Sequence, residues 1–438
     1  MKKIDYSKKT ILKNSTLSSV YKVIGMLLSL VSAPLVLNCL GEMKYGIFTS
    51  TLSIISWVYY FDLGIGNGLR NRLTEKLATD DIESAKKNIS IAYVMIAIIS
   101  IIIFLVSMIL IQIFDFSEFF NVKLVDENID YVLFISILIA CVNFVISLIN
   151  NTLYALQEAS KVSLFSILAQ LFYIIGLVIY IKYSVTLILM VAIAEGVAQL
   201  LKNIIATAYV NHKYPELKFR KKDIDFSYSN GIIAFGLQMF ALQMAALVLN
   251  ATDNLVILKL FGGDAVTPYS FCYKYFSMIN MIFSALLTPL WSAYTAAYSR
   301  KDYDWIKESL KKTALLYGLI VCGTIVAALI FVPFVKVWIQ RDLNYTMSLI
   351  VLTAIYFILL MFTHIFSTFL NGIGKVKEAT IAVVLEAIVN IPLSVFFANN
   401  CGMGVDGVIL GSIVCMFIAI AVYPYVAIRE LRKMRAER

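Results

Sequence analysis

Lys22, Lys274, Asp62, Glu195, Asp253 and Glu386 all stand inside long apolar runs of a 438-residue chain. An ionised side chain in such a run is costly unless it meets water or a partner, so these are the positions at which chemistry would be done. The two lysines lie on polar faces. Ser15, Ser18, Ser19, Lys22, Gly25, Ser29, Ser32 and Ala33 recur at three-and-four spacing on one side of the first run. Lys274 shares its face with Ser277, Ser284 and Thr288, and a third face carries Gln243, Ala246, Asn250, Asp253 and Asn254. Small polar faces can pack helices together or line a cavity, and the serines alone do not decide between these. Lys22 is close enough to one end to snorkel, as is Lys202. Lys274 is deeper and harder to explain by snorkelling; cations near a low-dielectric cavity attract an anion. Ser29, Gln243, Asn250, Asp253 and Ser277 are the expected polar lining.

The acids suggest coupling to an ion. Glu195 is nearest mid-run, with Gln199 one turn on; Asp253 and Glu386 follow. A carboxylate that alternates between a buried and a hydrated or lysine-flanked setting takes up and releases a proton or sodium ion. A structural pairing of Glu195 with Lys22 or Lys274 is the competing account. Asp62 precedes Gly64-Ile65-Gly66-Asn67-Gly68. No Lys-Ser/Thr follows and no strand precedes, so this is no phosphate loop, and a hinge at Gly64, Gly66 and Gly68 is the better expectation. Six scattered cysteines and two distant histidines, His212 and His364, make neither a disulfide frame nor a ligand set. No nucleophile, nucleotide or metal spacing supports an enzyme or a cofactor.

The elements that must position these groups follow from composition. Sixty per cent of the chain is apolar and 15% charged, and a bilayer core takes about 20 apolar residues per helix. Runs at 15–39, 45–68, 88–113, 130–153, 161–182, 184–209, 231–260, 268–297, 313–338, 346–370, 378–398 and 404–428 predict an all-α polytopic membrane protein of about twelve transmembrane helices. The first run, which contains Lys22 and is followed by further spans, does not read as a cleaved signal peptide. Lys and Arg crowd alternate loops, as at Lys86 and Lys87, Lys218 to Lys222, and Arg429 to Arg435. This bias places both termini in the cytoplasm and explains the net charge of +9 without nucleic acid.

The halves repeat. Leu35 to Gly41 matches Leu255 to Gly262, Asp81-Ile82-Glu83 matches Asp302-Tyr303-Asp304, and Ala155-Leu156-Gln157 matches Gly372-Ile373-Gly374. Six runs per half make the repeat parallel, which predicts two six-helix lobes, 1–210 and 231–438, around a central cavity, with 211–230 as a basic cytoplasmic linker. Transporters place substrate at such repeat interfaces.

Several stretches resemble the polysaccharide-transporter branch of the multidrug/oligosaccharidyl-lipid/polysaccharide exporter superfamily, the Wzx-type flippases. They are Leu40-Gly41 with Tyr45-Gly46-Ile47-Phe48, Asp62 to Asn71, Asp253-Asn254-Leu255-Val256-Ile257, and Pro289-Leu290-Trp291-Ser292-Ala293-Tyr294. The resemblance implies translocation of undecaprenyl-pyrophosphate-linked sugar units for O-antigen, capsule or exopolysaccharide. It also implies a cation in the eighth helix, which Lys274, five residues after Tyr269, fits. Its implied partners are the lipid-linked glycan, membrane lipid, H+ or Na+, and a polysaccharide polymerase with its chain-length regulator. Two other readings stay open: a cation-coupled multidrug-and-toxin-extrusion antiporter, against which the first run offers no acid, and a non-transporting scaffold. A major-facilitator carrier is disfavoured because its Gly-x-x-x-Asp-Arg/Lys signature is absent.

Overall fold

The structure is a computed structural model that describes residues 8–114, 116–119, 126–229, 232, 240, 244, 248–249, 252–299, 301–341, 343–375 and 377–436. The chain divides into two compact units, Met1–Met244 and Ala245–Arg438. The first unit contains α1 (Lys8–Leu40), α2 (Glu42–Tyr60), α3 (Ile65–Ala78), α4 (Ile82–Ile113), the single turn α5 (Phe116–Phe119), α6 (Ile129–Ser147), α7 (Ile149–Ala155), α8 (Ala159–Lys182) and α9 (Ile188–Lys213). The second contains α10 (Asp253–Phe261), α11 (Gly263–Ser299), α12 (Tyr303–Leu329), α13 (Phe331–Ile339), α14 (Met347–Gly372), α15 (Lys377–Val395) and α16 (Val405–Ala436). Among the described residues, nine helical segments are long and apolar enough to cross a membrane. The broken second run and the long α11 add helices beyond these nine, and most of the seventh run lies outside the described residues. Ile101, Leu105, Ile175, Leu315, Leu319 and Ile388 stay exposed on the unit surfaces, as lipid-facing residues should.

The internal repeat is written into the backbone of each unit. Gly41, ahead of α2, has φ 74° and ψ 174°, and Gly262, ahead of α11, has φ 83° and ψ 176°. Asp81 and Asp302 cap α4 and α12, each carboxylate accepting from a backbone N–H at 3.1 Å. The residues before them, Asp80 and Lys301, have φ 56° and 58°. The capping residues themselves donate to Lys76 O and Ala297 O, both at 2.9 Å. This six-to-one closure is how helices end in a left-handed residue. Gln157 and Gly374 repeat the turn after α7 and α14.

Two expected helices differ from expectation. The second run does not continue from 45 to 68. Asp62 takes the N–H groups of Gly64 (2.8 Å) and Gly66 (3.0 Å), and Leu63 and Gly64 turn left-handed, so α2 stops and α3 starts anew. The ninth run starts earlier, at Tyr303, and breaks at Ile330. Pro333, in the first turn of α13, cannot continue the α12 hydrogen-bond ladder.

At the lysine- and arginine-rich end of the first unit, a buried carboxylate ties helices together. Glu158, between α7 and α8, accepts from Lys213 Nζ (2.6 Å), Tyr214 OH (2.6 Å) and Tyr209 OH (2.7 Å). Asn14 of α1 joins by donating to Gln157 O (2.8 Å) and accepting from Ser160 Oγ (2.9 Å). Burial pushes the Glu158 carboxyl up, but the bonds from Lys213, Tyr214 and Tyr209 outweigh it and hold it below the usual range. A depressed carboxyl stabilises the fold above its unfolded pKa and loses that contribution as pH falls through the folded value. Glu158→Gln should therefore cost about 2 kcal/mol at neutral pH, the scale of a charged hydrogen bond. In detergent melts the gap to wild type should close below pH 4.5, the group's ordinary value; equal melts at neutral pH would dismiss the clamp.

Candidate functional site

In the first unit α2, α6 and α9 enclose a cavity of about 340 Å³, whose wall includes Tyr59, Asn143, Glu195, Gln199, Lys202 and Asn203. Glu195, Gln199 and Lys202 share one face of α9, at i, i+4 and i+7. Asparagines hold that face: Asn143 donates to Gly196 O (2.9 Å), Asn203 to Asn143 Oδ1 (3.3 Å), and Asn150 to Asn203 Oδ1 (3.3 Å). Sequence reading did not single out these asparagines, although amides inside apolar spans are themselves a signal.

Lys22 is exposed on α1, on the side opposite the exposed Val20, Ile24, Leu27 and Val31, and it makes no ion pair among the described residues. The serines around it divide. Ser18 and Ser32 are buried against α8, bonded to Ser163 Oγ (2.7 Å) and Gln170 Nε2 (2.8 Å), so they pack helices. Ser29 turns back onto Met26 O (2.7 Å).

Each glycine of the 64–68 string meets a specific demand. Gly64 is left-handed, with φ 72°. A Cβ on Gly66 would lie 2.6 Å from Asn151 Nδ2, and one on Gly68 would lie 2.3 Å from the Ile232 carbonyl oxygen. Gly66 and Gly68 lie inside α3 at close approaches, while the chain turns at Leu63 and Gly64.

In the second unit four helices bring polar groups to one buried point. Asp253, the first residue of α10, accepts from Tyr269 OH of α11 (2.8 Å) and Ser412 Oγ of α16 (3.5 Å). Its Oδ1 meets no donor among the described residues, although Asp253 is only 7% exposed. Asn390 of α15 donates to Ser412 Oγ (2.8 Å), and its own Oδ1 is likewise without a donor there. Glu386 is buried one turn away from Asn390 on α15 and accepts from Ala419 N (2.7 Å). Ser412 and Ala419 lie on the same side of α16, two turns apart, so the two carboxylates are strung along that helix. Two buried oxygens without donors among the described residues thus belong to groups joined through Ser412 in one polar cluster. Tyr269, Asn390 and Ser412 belong to it and were not legible from the sequence.

Lys274 stands on α11 next to an aromatic cluster in which Tyr273 packs on Tyr269 (5.9 Å), Tyr356 (6.1 Å) and Phe357 (4.9 Å). Ser277 donates to Lys274 O (2.8 Å). Gln243 and Asn250 lie outside the described residues. Asp253 and Glu386 are thus brought to one helix of the second unit, while Lys22 and Glu195 belong to the first.

The polysaccharide biosynthesis protein family matches residues 11–294, and the MatE family matches residues 239–396. A Salmonella typhimurium protein named "Putative O-antigen transporter" is 24% identical over 402 residues, covering 91% of this chain and 92% of its own. A Yersinia pseudotuberculosis protein named "Putative O-antigen export protein" is 25% identical over 426 residues, with 91% of each chain covered. In fold, the chain is similar to the inward-facing conformation of a multidrug resistance MATE family transporter of the MOP superfamily. There the TM-score is 0.72, with 14% identity and 98% of each chain covered. It is also similar to a MOP superfamily transporter from Pyrococcus furiosus, described as having a binding pocket of reverse polarity, at a TM-score of 0.65 with 16% identity and 98% and 96% of the chains covered. The first family match spans more than half of the chain: the protein belongs to the polysaccharide biosynthesis protein family.

Proposed function

We propose that the protein moves lipid-linked oligosaccharide units, carried on undecaprenyl pyrophosphate, from the cytoplasmic to the outer leaflet of a bacterial inner membrane by alternating access. The observation that carries this reading is the end-to-end match to relatives named for O-antigen transport and export. Charge supports it: each unit keeps a lysine within a span, Lys22 exposed on α1 and Lys274 on α11, and cations near a low-dielectric cavity attract a diphosphate strongly. The lobes 1–210 and 231–438 would rock about the 211–230 linker, with both termini cytoplasmic. Asp253, Glu386 and Glu195 would exchange H+ or Na+ to bias the cycle, and a polymerase with its chain-length regulator would receive the product.

The test is leaflet exchange of a short-chain prenyl-pyrophosphate glycan by the purified protein in liposomes. Lys274→Ala should slow exchange at least about tenfold, the effect of removing one partner from a desolvated charge pair. Lys274→Arg should retain part of the rate. Wild-type exchange by the alanine variant would remove Lys274 from the site. Absence of exchange by the wild type, with export of a cationic dye instead, would favour the antiporter reading.

A further inference from the structure

A second cavity, of about 440 Å³, lies wholly within the first unit between α4, α6–α7, α9 and the segment that follows α9. Its lining changes character along the helices. At the basic end stand Thr152, Asn211 and Lys218; roughly 10 Å deeper the wall is Val94, Ala97, Val145 and Ile146. Thr152 is 1% exposed, and its Oγ1 has no hydrogen-bond partner among the described residues. A buried hydroxyl in that state marks a position that a ligand atom should satisfy. The deep wall continues into lipid-facing surface at Ile98 and Ile101, 48% and 59% exposed.

The segment that closes the mouth is built to stay there. Leu217 is buried in the core cluster of this unit, and Phe219 packs on Tyr93 of α4 at 6.0 Å. Lys218 stands exposed between them, followed by exposed Arg220, Lys221 and Lys222. Polar at one membrane level, apolar at the next and cationic at the rim is the profile of a lipid seen end-on, and basic residues at that level favour anionic headgroups.

We infer that this cavity is a site for an anionic phospholipid of the leaflet at the basic end. The phosphate would meet Lys218, Asn211 and the Thr152 hydroxyl, and one acyl chain would run down Val94, Ala97 and Val145. The lipid would staple the 214–219 segment to α4. The site needs residues of one unit only and does not rest on the transport reaction proposed above.

Full-length protein, delipidated in detergent, is titrated with phosphatidylglycerol or phosphatidylcholine and read by native mass spectrometry and thermal melting. Phosphatidylglycerol should bind as a discrete adduct and raise the melting midpoint, and phosphatidylcholine should not. Lys218→Ala should weaken the adduct about fivefold, the effect of one lysine near a membrane surface, while Lys218→Arg restores it. Ala97→Phe, which fills the chain slot, should abolish it. If Ala97→Phe does not fold, the exposed Lys218 pair decides alone. Equal binding of both lipids, undiminished binding by Lys218→Ala, or displacement of the adduct by a soluble prenyl pyrophosphate would each overturn the assignment.

Discussion

Gly411→Leu should yield no folded transporter. A Cβ at position 411 would lie 2.5 Å from the backbone nitrogen of Ser394 and 2.6 Å from its Oγ, and one at Gly407 would lie 2.5 Å from Ala398 N. These glycines, four apart on α16, let its backbone touch α15 and the π-turn Phe396–Asn400, the small-xxx-small device that replaces hydrophobic drive between helices in lipid. Neither neighbour is a flexible side-chain end that could swing away. Separating the helices would also break the bond from Ser394 Oγ to Val408 O (3.0 Å) and the Asn390–Ser412–Asp253 links. Gly411→Ala should cost about 3 kcal/mol, the upper range for overpacking. The leucine variant should run as aggregate on size exclusion in mild detergent. Gly318→Ala and Gly323→Ala supply the contrast. Both glycines lie in α12 with nothing within 4 Å of a Cβ, so alanine should raise the melt slightly through helix propensity. Normal folding of Gly411→Leu would mean that the α15–α16 contact is not close.

What the sequence discloses about this fold depends on the range over which its signals act. Twelve runs and their repeat are legible because hydropathy averages over about 20 residues and a parallel repeat copies whole loops. The backbone signatures at Gly41 and Gly262, and at Asp81 and Asp302, are those copies. The break at 61–64 is not legible from hydropathy, because it depends on one carboxylate, Asp62, taking two backbone N–H groups. Cavity membership is the hardest to read. Ser18 and Lys22 share a sequence face, yet one is buried against Ser163 and the other is exposed. Only the packing partner, a helix about 140 residues later in the chain, separates the roles. For the same reason Asp253 and Glu386 are visible as acids within runs, whereas Asn390 and Ser412, which join Asp253, look like ordinary small polar residues.

On the ion coupling proposed above, Asp253→Asn should uncouple transport from the gradient while leaving the fold intact. The amide is nearly isosteric and its oxygen can still accept from Tyr269 OH, which lies 2.8 Å from Oδ2 in the wild type. The variant loses the negative charge that would hold a proton or sodium ion beside Asn390 Oδ1. A carboxylate this buried persists in ionised form only when compensated, and among the described residues no cation is paired with it. Compensation would therefore come from the medium, at the step of the cycle when the site opens. Gradient-driven flipping should fall about 100-fold, at the upper end of ordinary coupling energies. Exchange down the substrate's own gradient should persist, and its dependence on external pH and sodium should flatten. Tyr269→Phe sharpens the assignment, because it removes a donor and keeps the charge: it should shift the ion concentration for half-maximal transport without abolishing coupling. Glu195→Gln applies the same test to the first unit, and Glu386→Gln to the neighbouring acid on α15. If Asp253→Asn transports with the wild-type dependence on pH and sodium, the acceptor-rich point on α16 is structural. If all three variants do so, the carboxylates do not set the direction of flipping, and the substrate gradient alone drives it.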